Sequence, residues 1–167
     1  MGTTEISVED LLEDAAKLWL AHDGLWFQAV EKRYGIEKAI ELDKEAWETF
    51  TVLEARRIMS RHGIEAGGGL EALKAALQHR LYAHINVQEI VDETPTSFVF
   101  RMTDCRVQSA RQRKGLDPFP CKEVGIVEYS LFAKTVDSRI KTTCIGCPPD
   151  PEQPGFWCAW RFELAED

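Results

Sequence analysis

Apolar positions recur every three or four residues through roughly the first eighty positions and every second residue in much of the remaining chain, so the sequence predicts a helical half succeeded by a half built on strands. Ser7 stands three residues ahead of Asp10 and just before an apolar-periodic run, the pattern of a capping box, and a helix is predicted over 8–21. Leu11, Leu12, Ala15, Leu18, Trp19 and His22 form its stripe, which the spacing assigns to a buried face. Asp23-Gly24 predicts a break, after which the pattern resumes at Leu25, Trp26, Ala29 and Val30. A long helix is predicted over 36–62, with Ala39, Ile40, Trp47, Phe50, Leu53, Glu54 and Ile58 inside and Gly63 as its stop. Gly67-Gly68-Gly69 reads as a flexible turn, and Leu70, Leu73, Leu77, Leu81 and Tyr82 as one more amphipathic helix.

The period changes near His84. Ile85, Val87 and Val91 alternate with polar residues up to the turn Glu93-Thr94-Pro95-Thr96, and Phe98, Phe100 and Met102 alternate beyond it, which predicts an antiparallel hairpin. Arg106 to Lys114 has helical character, stopped by Gly115. Cys121 opens another helix running to Val136, with Pro120 well placed at its start. Arg139 to Cys144 reads as a third strand on which Ile140, Thr142 and Cys144 share a face. Phe156 to Leu164 is the fourth, with Phe156, Cys158, Trp160, Phe162 and Leu164 on one side; if the last two strands pair, Cys144 is placed to oppose Cys158. The predicted class is therefore α+β: an N-terminal helical layer packed on a four-stranded antiparallel sheet, with two helices inserted between the hairpins. One domain over 1–167 is expected, its helical layer at 1–82 and its cysteine-containing part at 83–167.

Composition adds exclusions. The 167 residues are 44% hydrophobic and 29% charged, ordinary for a globular chain that builds a core without disulfides. A net charge of -8 argues against a nonspecific phosphate-backbone binder, and the one basic run, Arg111-Gln112-Arg113-Lys114, reads as a solvated helix end. Neither a secretion signal nor a run of ~20 apolar residues is visible, so a cytoplasmic location away from membranes is expected.

All five cysteines, Cys105, Cys121, Cys144, Cys147 and Cys158, lie between positions 105 and 158. In a reducing compartment Cys144-Ile-Gly-Cys147 is more readily a metal-binding or redox pair than a structural bridge. Three readings stand. The five thiols supply candidate ligands for a metal, zinc in preference to an iron–sulfur cluster because the compact run of ferredoxins is missing. Alternatively they are small core hydrophobes. In the third, Cys121 at a helix N-terminus is a nucleophile, with Glu128 two turns away on the same face as acid or base and Gly125 leaving room between them. His22, Trp26 and Trp160 are the candidate ligand contacts; His22 and Asp23, adjacent on a helix, diverge by ~100° and need not meet. His62, His79 and His84 have no partner at ligand spacing.

Cys105 with Ala110 and Gly115, Cys121 opening the next helix, Arg139 to Thr143, and the closing Cys158-Ala-Trp-Arg-Phe162 together resemble the L-2-amino-thiazoline-4-carboxylate hydrolase family and, more remotely, vinyl-reductase-like small-molecule-binding domains. The run His22 to Phe27, with Glu31, Gly35, Ala39 and Asp43 after it, looks like a bacterial and archaeal relative of those hydrolases. The resemblance implies an α+β fold with a pocket between helices and sheet. Cys144-Ile-Gly-Cys147-Pro-Pro-Asp150 departs from the hydrolase pattern. The expectation is a small-molecule-binding protein, hydrolase-like in outline, with a cysteine-lined pocket able to take a metal and with a homodimer open to it. The alternative is a noncatalytic zinc or iron–sulfur sensor or interaction module.

Overall fold

The computed structural model describes residues 6–151 and 153–165. Helix α1 spans Val8–Tyr34 and α2 Ile36–His62, an antiparallel pair turning at Gly35, whose φ of +86° suits a residue without a Cβ. The capping box is present: the Asp10 N–H donates to the Ser7 hydroxyl at 3.0 Å, and the Ser7 N–H donates to the Asp10 carboxylate at 3.1 Å. The predicted break at Asp23-Gly24 is absent. A glycine inside a helix costs about 1 kcal/mol, and the contacts made by Leu20, Phe27 and Glu31 along the same face outweigh it. The buried face also differs from the predicted stripe. Ala16 and Leu20 are buried and Trp19 is half-buried, whereas Leu11, Leu12, Ala15, Leu18 and His22 are exposed.

α3 comes next over Gly69–Leu77, then a 3-10 turn over Leu81–His84, so the single helix predicted through Tyr82 divides at Arg80. The glycine turn before α3 is pinned. Asp137 accepts the Gly69 N–H at 3.0 Å, Val136 accepts the Gly67 N–H at 2.9 Å, and Arg139 donates to the Gly67 carbonyl at 3.1 Å. The hydrogen bonds that Asp137 accepts, those from Arg139 first, hold its carboxyl down at about 2.

Strands β1 (Val87–Val91) and β2 (Ser97–Asp104) form the first hairpin, α4 (Arg106–Arg113) and α5 (Lys122–Val136) are inserted, and β3 (Ile140–Gly146) and β4 (Cys158–Leu164) complete an antiparallel sheet in the order β1-β2-β4-β3. The α+β class is as predicted. Phe98, Phe100 and Met102 on β2 stand opposite Phe162, Trp160 and Cys158 on β4. Across the other edge of β4, Cys144 faces Trp160 and not Cys158, because the register that sets Ile140 against Leu164 runs unbroken to Cys144; a bulge follows it, between Cys144 and Gly146, and sets Gly146 against Ala159. α5 lies on this apolar face: Phe132, Ala133 and Val136 are fully buried, and Tyr129 stacks on Trp160 with ring centroids 4.9 Å apart. α2 packs over the other side of α5, where the Thr51 hydroxyl donates to the Glu128 carbonyl at 3.1 Å. No helix among the described residues is long and apolar enough to cross a membrane.

Candidate functional site

Three chain ends meet at the sulfur atoms. Cys121 is the N-cap of α5, Cys147 comes directly after the last residue of β3, and Cys158 is the first residue of β4. Backbone and side-chain bonds clamp the first two together: the Lys122 N–H donates to the Pro148 carbonyl at 2.9 Å, its ammonium contacts both Asp150 carboxylate oxygens at 2.7 and 2.8 Å, and Asp150 accepts the Cys147 N–H at 3.3 Å. The sulfurs of Cys121 and Cys147 consequently lie 3.3 Å apart. Cys147 interacts in addition with the thiols of Cys144 and Cys158. These neighbours, Cys121 first, raise the Cys147 thiol and keep it protonated, while the Cys147 S–H and, after it, the Lys122 ammonium lower that of Cys144. Cys105, the N-cap of α4, faces Cys158 and Cys121, and burial pushes its thiol up to about 12.

All five thiols are free. Among the described residues, no group of three or more His, Cys, Asp or Glu side chains is arranged to hold a metal ion. The sulfur separation is consistent with that: tetrahedral zinc, with Zn–S near 2.3 Å, sets sulfurs about 3.8 Å apart, and the Cys121–Cys147 contact is tighter.

The Gln108 side chain is buried and fixes the approach to Cys121. Its amide donates to the Phe119 carbonyl at 2.9 Å and to the Cys121 sulfur at 3.6 Å, and its carbonyl accepts the Phe119 N–H at 2.9 Å. Arg111, one turn further along α4, ties that helix to α1 through a two-pronged pair with Glu31 at 3.0 and 3.1 Å.

The opposite wall is acidic. Asp23 from α1, Asp43 from α2 and Glu128 from α5 face the same space as the thiols. Burial, reinforced by the negative charges of Asp23 and Glu128, raises the Asp43 carboxyl to about 7 against the pull of a hydrogen bond from Trp47. Burial likewise raises Asp23, with His22 opposing. Glu128 is raised by burial and drawn back by Arg80, whose guanidinium lies 2.7 Å from it and 2.9 Å from Glu54. Arg80 is itself buried among rings, its guanidinium carbon 4.9 Å from the Phe132 centroid and 5.5 Å from those of Tyr82 and Tyr129.

Between these walls lies a cavity of about 390 Å³ bounded by α1, α2, α4, α5 and the central strands. Cys105, Cys121, Cys147, Cys158, Glu128 and Trp160 line it, as does Gly125; Cys144 stands behind Cys147 and does not. The space over Gly125 is occupied by the Trp160 indole, since a Cβ at Gly125 would fall 2.6 Å from Trp160 Cζ2. His22 and Trp26 lie on the exposed side of α1 and are not among the lining residues. His62 and His79 are exposed and stack on each other with centroids 3.5 Å apart.

Sequence reasoning passes over Arg80, Gln108 and the pair Asp23 and Asp43 as site residues. For the two aspartates a signal exists. Asp43 stands four residues after buried Ala39 and four before buried Trp47, and Asp23 stands three after buried Leu20, so both put an acid in register with an apolar face. Arg80 carries no such local signal, because its two carboxylate partners come from distant turns.

The chain belongs to a family of unknown function, DUF6125, whose model matches residues 3–164. No curated protein matches it.

Proposed function

We propose that the protein binds a small organic molecule in the cavity between α1, α2, α5 and the sheet, and that the molecule carries a protonated nitrogen. The observation supporting this is a cavity of about 390 Å³ whose wall holds Asp23 and Asp43, with no lysine or arginine among the described residues acting on either; Lys17, Arg106, Arg111, Arg113 and Lys114 also line the cavity, Lys17 and Arg111 being engaged by Glu13 and Glu31. A buried carboxyl without a cation gives up ionisation, and a bound ammonium or amidinium group restores it. The aromatic rings of Trp47, Tyr82, Phe27 and Phe119 suit a flat apolar body between that pole and the thiols. Calorimetric titration with a panel of small aromatic amines and matched carboxylic acids tests the reading. Amines should bind and acids should not, with Asp43→Asn weakening amine binding about tenfold or more; a panel that binds without regard to charge, or not at all, overturns it.

The resemblance to amino-thiazoline carboxylate hydrolases suggests a chemistry for the same space. In that reading Glu128, once released from Arg80, takes the Cys121 thiol proton as the sulfur adds to the C=N carbon of the bound molecule, the proton passes to the nitrogen that departs as the C–N bond breaks, and water hydrolyses the resulting thioimidate to free Cys121. Cys121→Ser should then abolish turnover while leaving binding intact.

A second reading is that of a thiolate centre with zinc, or less readily an iron–sulfur cluster, serving a sensor or interaction role. It is supported by the convergence of Cys121, Cys144 and Cys158 on Cys147, and it requires the sulfurs to spread from 3.3 Å. Elemental analysis of protein purified without oxygen or chelator decides it: near one zinc per chain supports the centre, and five titratable thiols without metal rule it out.

A further inference from the structure

We infer that α1 is the interface of a homodimer, in which the α1 helices of two copies pack antiparallel along the stripe Leu11, Leu18 and Leu25. It does not rest on the identity of the cavity's ligand, although Leu25 also borders the cavity. The three leucines are 57%, 70% and 61% exposed. Spaced by seven residues, they fall within about 40° of one another on the helix at ~100° per residue, on the side away from the buried Ala16 and Leu20. Ala15 and His22 lie between them and Ala29 beyond Leu25, on the same side of the helix, and all three are also exposed. That is a heptad seam of leucines alternating with mostly small residues, the arrangement that lets two helices approach closely. Val8 and Trp26 widen it, at 75% and 65% exposed. α1 is therefore apolar on two opposite faces: one is covered by α2 and the 3-10 turn, and the other is open.

The occupant that fits is a second copy. These five side chains expose on the order of 600 Å² of apolar surface per chain, close to the ~800 Å² that each partner contributes to a standard interface, and a two-fold axis through Leu18 sets the seam against itself. The charges specify direction. Glu9 and Asp10 lie in the first turn of α1, with Glu13 and Asp14 in the next, and Lys32 and Arg33 lie in the last. Antiparallel packing about Leu18 lays the acidic first turn opposite Trp26 and Phe27 of the second copy, within about two turns of the basic last turn, and opposes the helix dipoles; parallel packing would stack like charge on like.

Sedimentation and light scattering on the full chain over a wide concentration range test the inference. The expected mass is twice the 19.0 kDa of one chain, with Leu18→Glu and Leu11→Glu each returning the single-chain mass while keeping the wild-type helical signal and melting temperature. Neither position lines the cavity. A wild-type chain at 19.0 kDa throughout, which leaves the stripe to a different partner, overturns the inference, as does a Leu18→Glu variant that keeps the double mass. The double variant Lys32→Glu, Arg33→Glu should weaken the dimer several-fold at low salt, and an unchanged dissociation constant overturns the antiparallel arrangement.

Discussion

The sulfurs of Cys121 and Cys147 meet at 3.3 Å, held there by the lysine directly after the first and the aspartate three positions beyond the second. Cys147 keeps its proton, and its S–H lowers the thiol of Cys144 below the ordinary value. Timed alkylation at neutral pH with peptide mass spectrometry should therefore modify Cys144 well before Cys105, whose thiol stands at about 12. Lys122→Gln should slow Cys144 about two- to fivefold by removing a favourable charge. Equal rates for Cys144 and Cys105 would contradict the arrangement.

Gly125→Ala tests how α5 sits on the sheet. Alanine favours the helix by about 1 kcal/mol, yet its Cβ would lie 2.6 Å from Trp160 Cζ2, and Trp160 is buried between Tyr129 and the strands. Overpacking of this kind costs about 1–3 kcal/mol. The expected result in urea denaturation is a net loss of stability; a gain would mean that the indole is free to yield.

Arg80→Met removes the cation that serves Glu54 and Glu128 and leaves two buried carboxyls facing one another. A loss of about 3–5 kcal/mol at neutral pH is expected, the usual result of breaking a buried pair from one side. Glu128 is already raised by burial, so without Arg80 it titrates higher still and the folded state takes up its proton before the unfolded state does. The deficit should accordingly shrink as pH falls towards 5. A deficit independent of pH would mean that Arg80 acts through ring packing alone.

Asp43 predicts the opposite pH trend to an ordinary salt-bridged acid. Its folded pKa of about 7 lies above the ordinary value of 3.8, so over that window the folded state holds a proton that the unfolded state has released, and stability falls as pH rises from about 4 to about 7. Asp43→Asn should be nearly neutral at pH 4 and stabilising at pH 8, by on the order of 1–2 kcal/mol after allowance for its partial exposure. Affinity for an amine should rise through the same window in the wild type and stay flat in Asp43→Asn. Calorimetry at several pH values checks both.

The strands and most helices are legible in the sequence because their signals are local. Phe98, Phe100, Met102, Cys158, Trp160 and Phe162 alternate as the sheet requires, and Ser7 with Asp10 caps α1 as the spacing says. The helix through Gly24 is not legible, because the cost of one glycine is visible in sequence and the tertiary contacts that offset it are not. The stripe Leu11, Leu18 and His22 reads as buried when it is open in the single chain, since periodicity reports that a face is apolar without saying what covers it. At the site, the clustering of cysteines along the chain points to the region where Cys121, Cys144 and Cys158 converge on Cys147. The pairing of Cys144 with Trp160 depends on which residue of β3 meets Leu164, and the trio Glu54, Arg80 and Glu128 depends on three separate elements meeting, so neither can be read from spacing.

β4 occupies the middle of the sheet although it is made last of the four strands, so β2 and β3 have no common neighbour until residues 158–164 arrive. At synthesis rates of roughly 5–20 residues per second, a nascent chain carries Cys105, Cys121, Cys144 and Cys147 out of the ribosome as separate, solvated thiols. Lys122 and Asp150 can join Cys121 to Cys147 earlier, and the full set of contacts closes when Cys158 and Trp160 seat between Met102 and Cys144. The complete sulfur cluster is thereby a mark of completed folding, since Cys158 joins Cys147 and Cys105 only with the last strand in place.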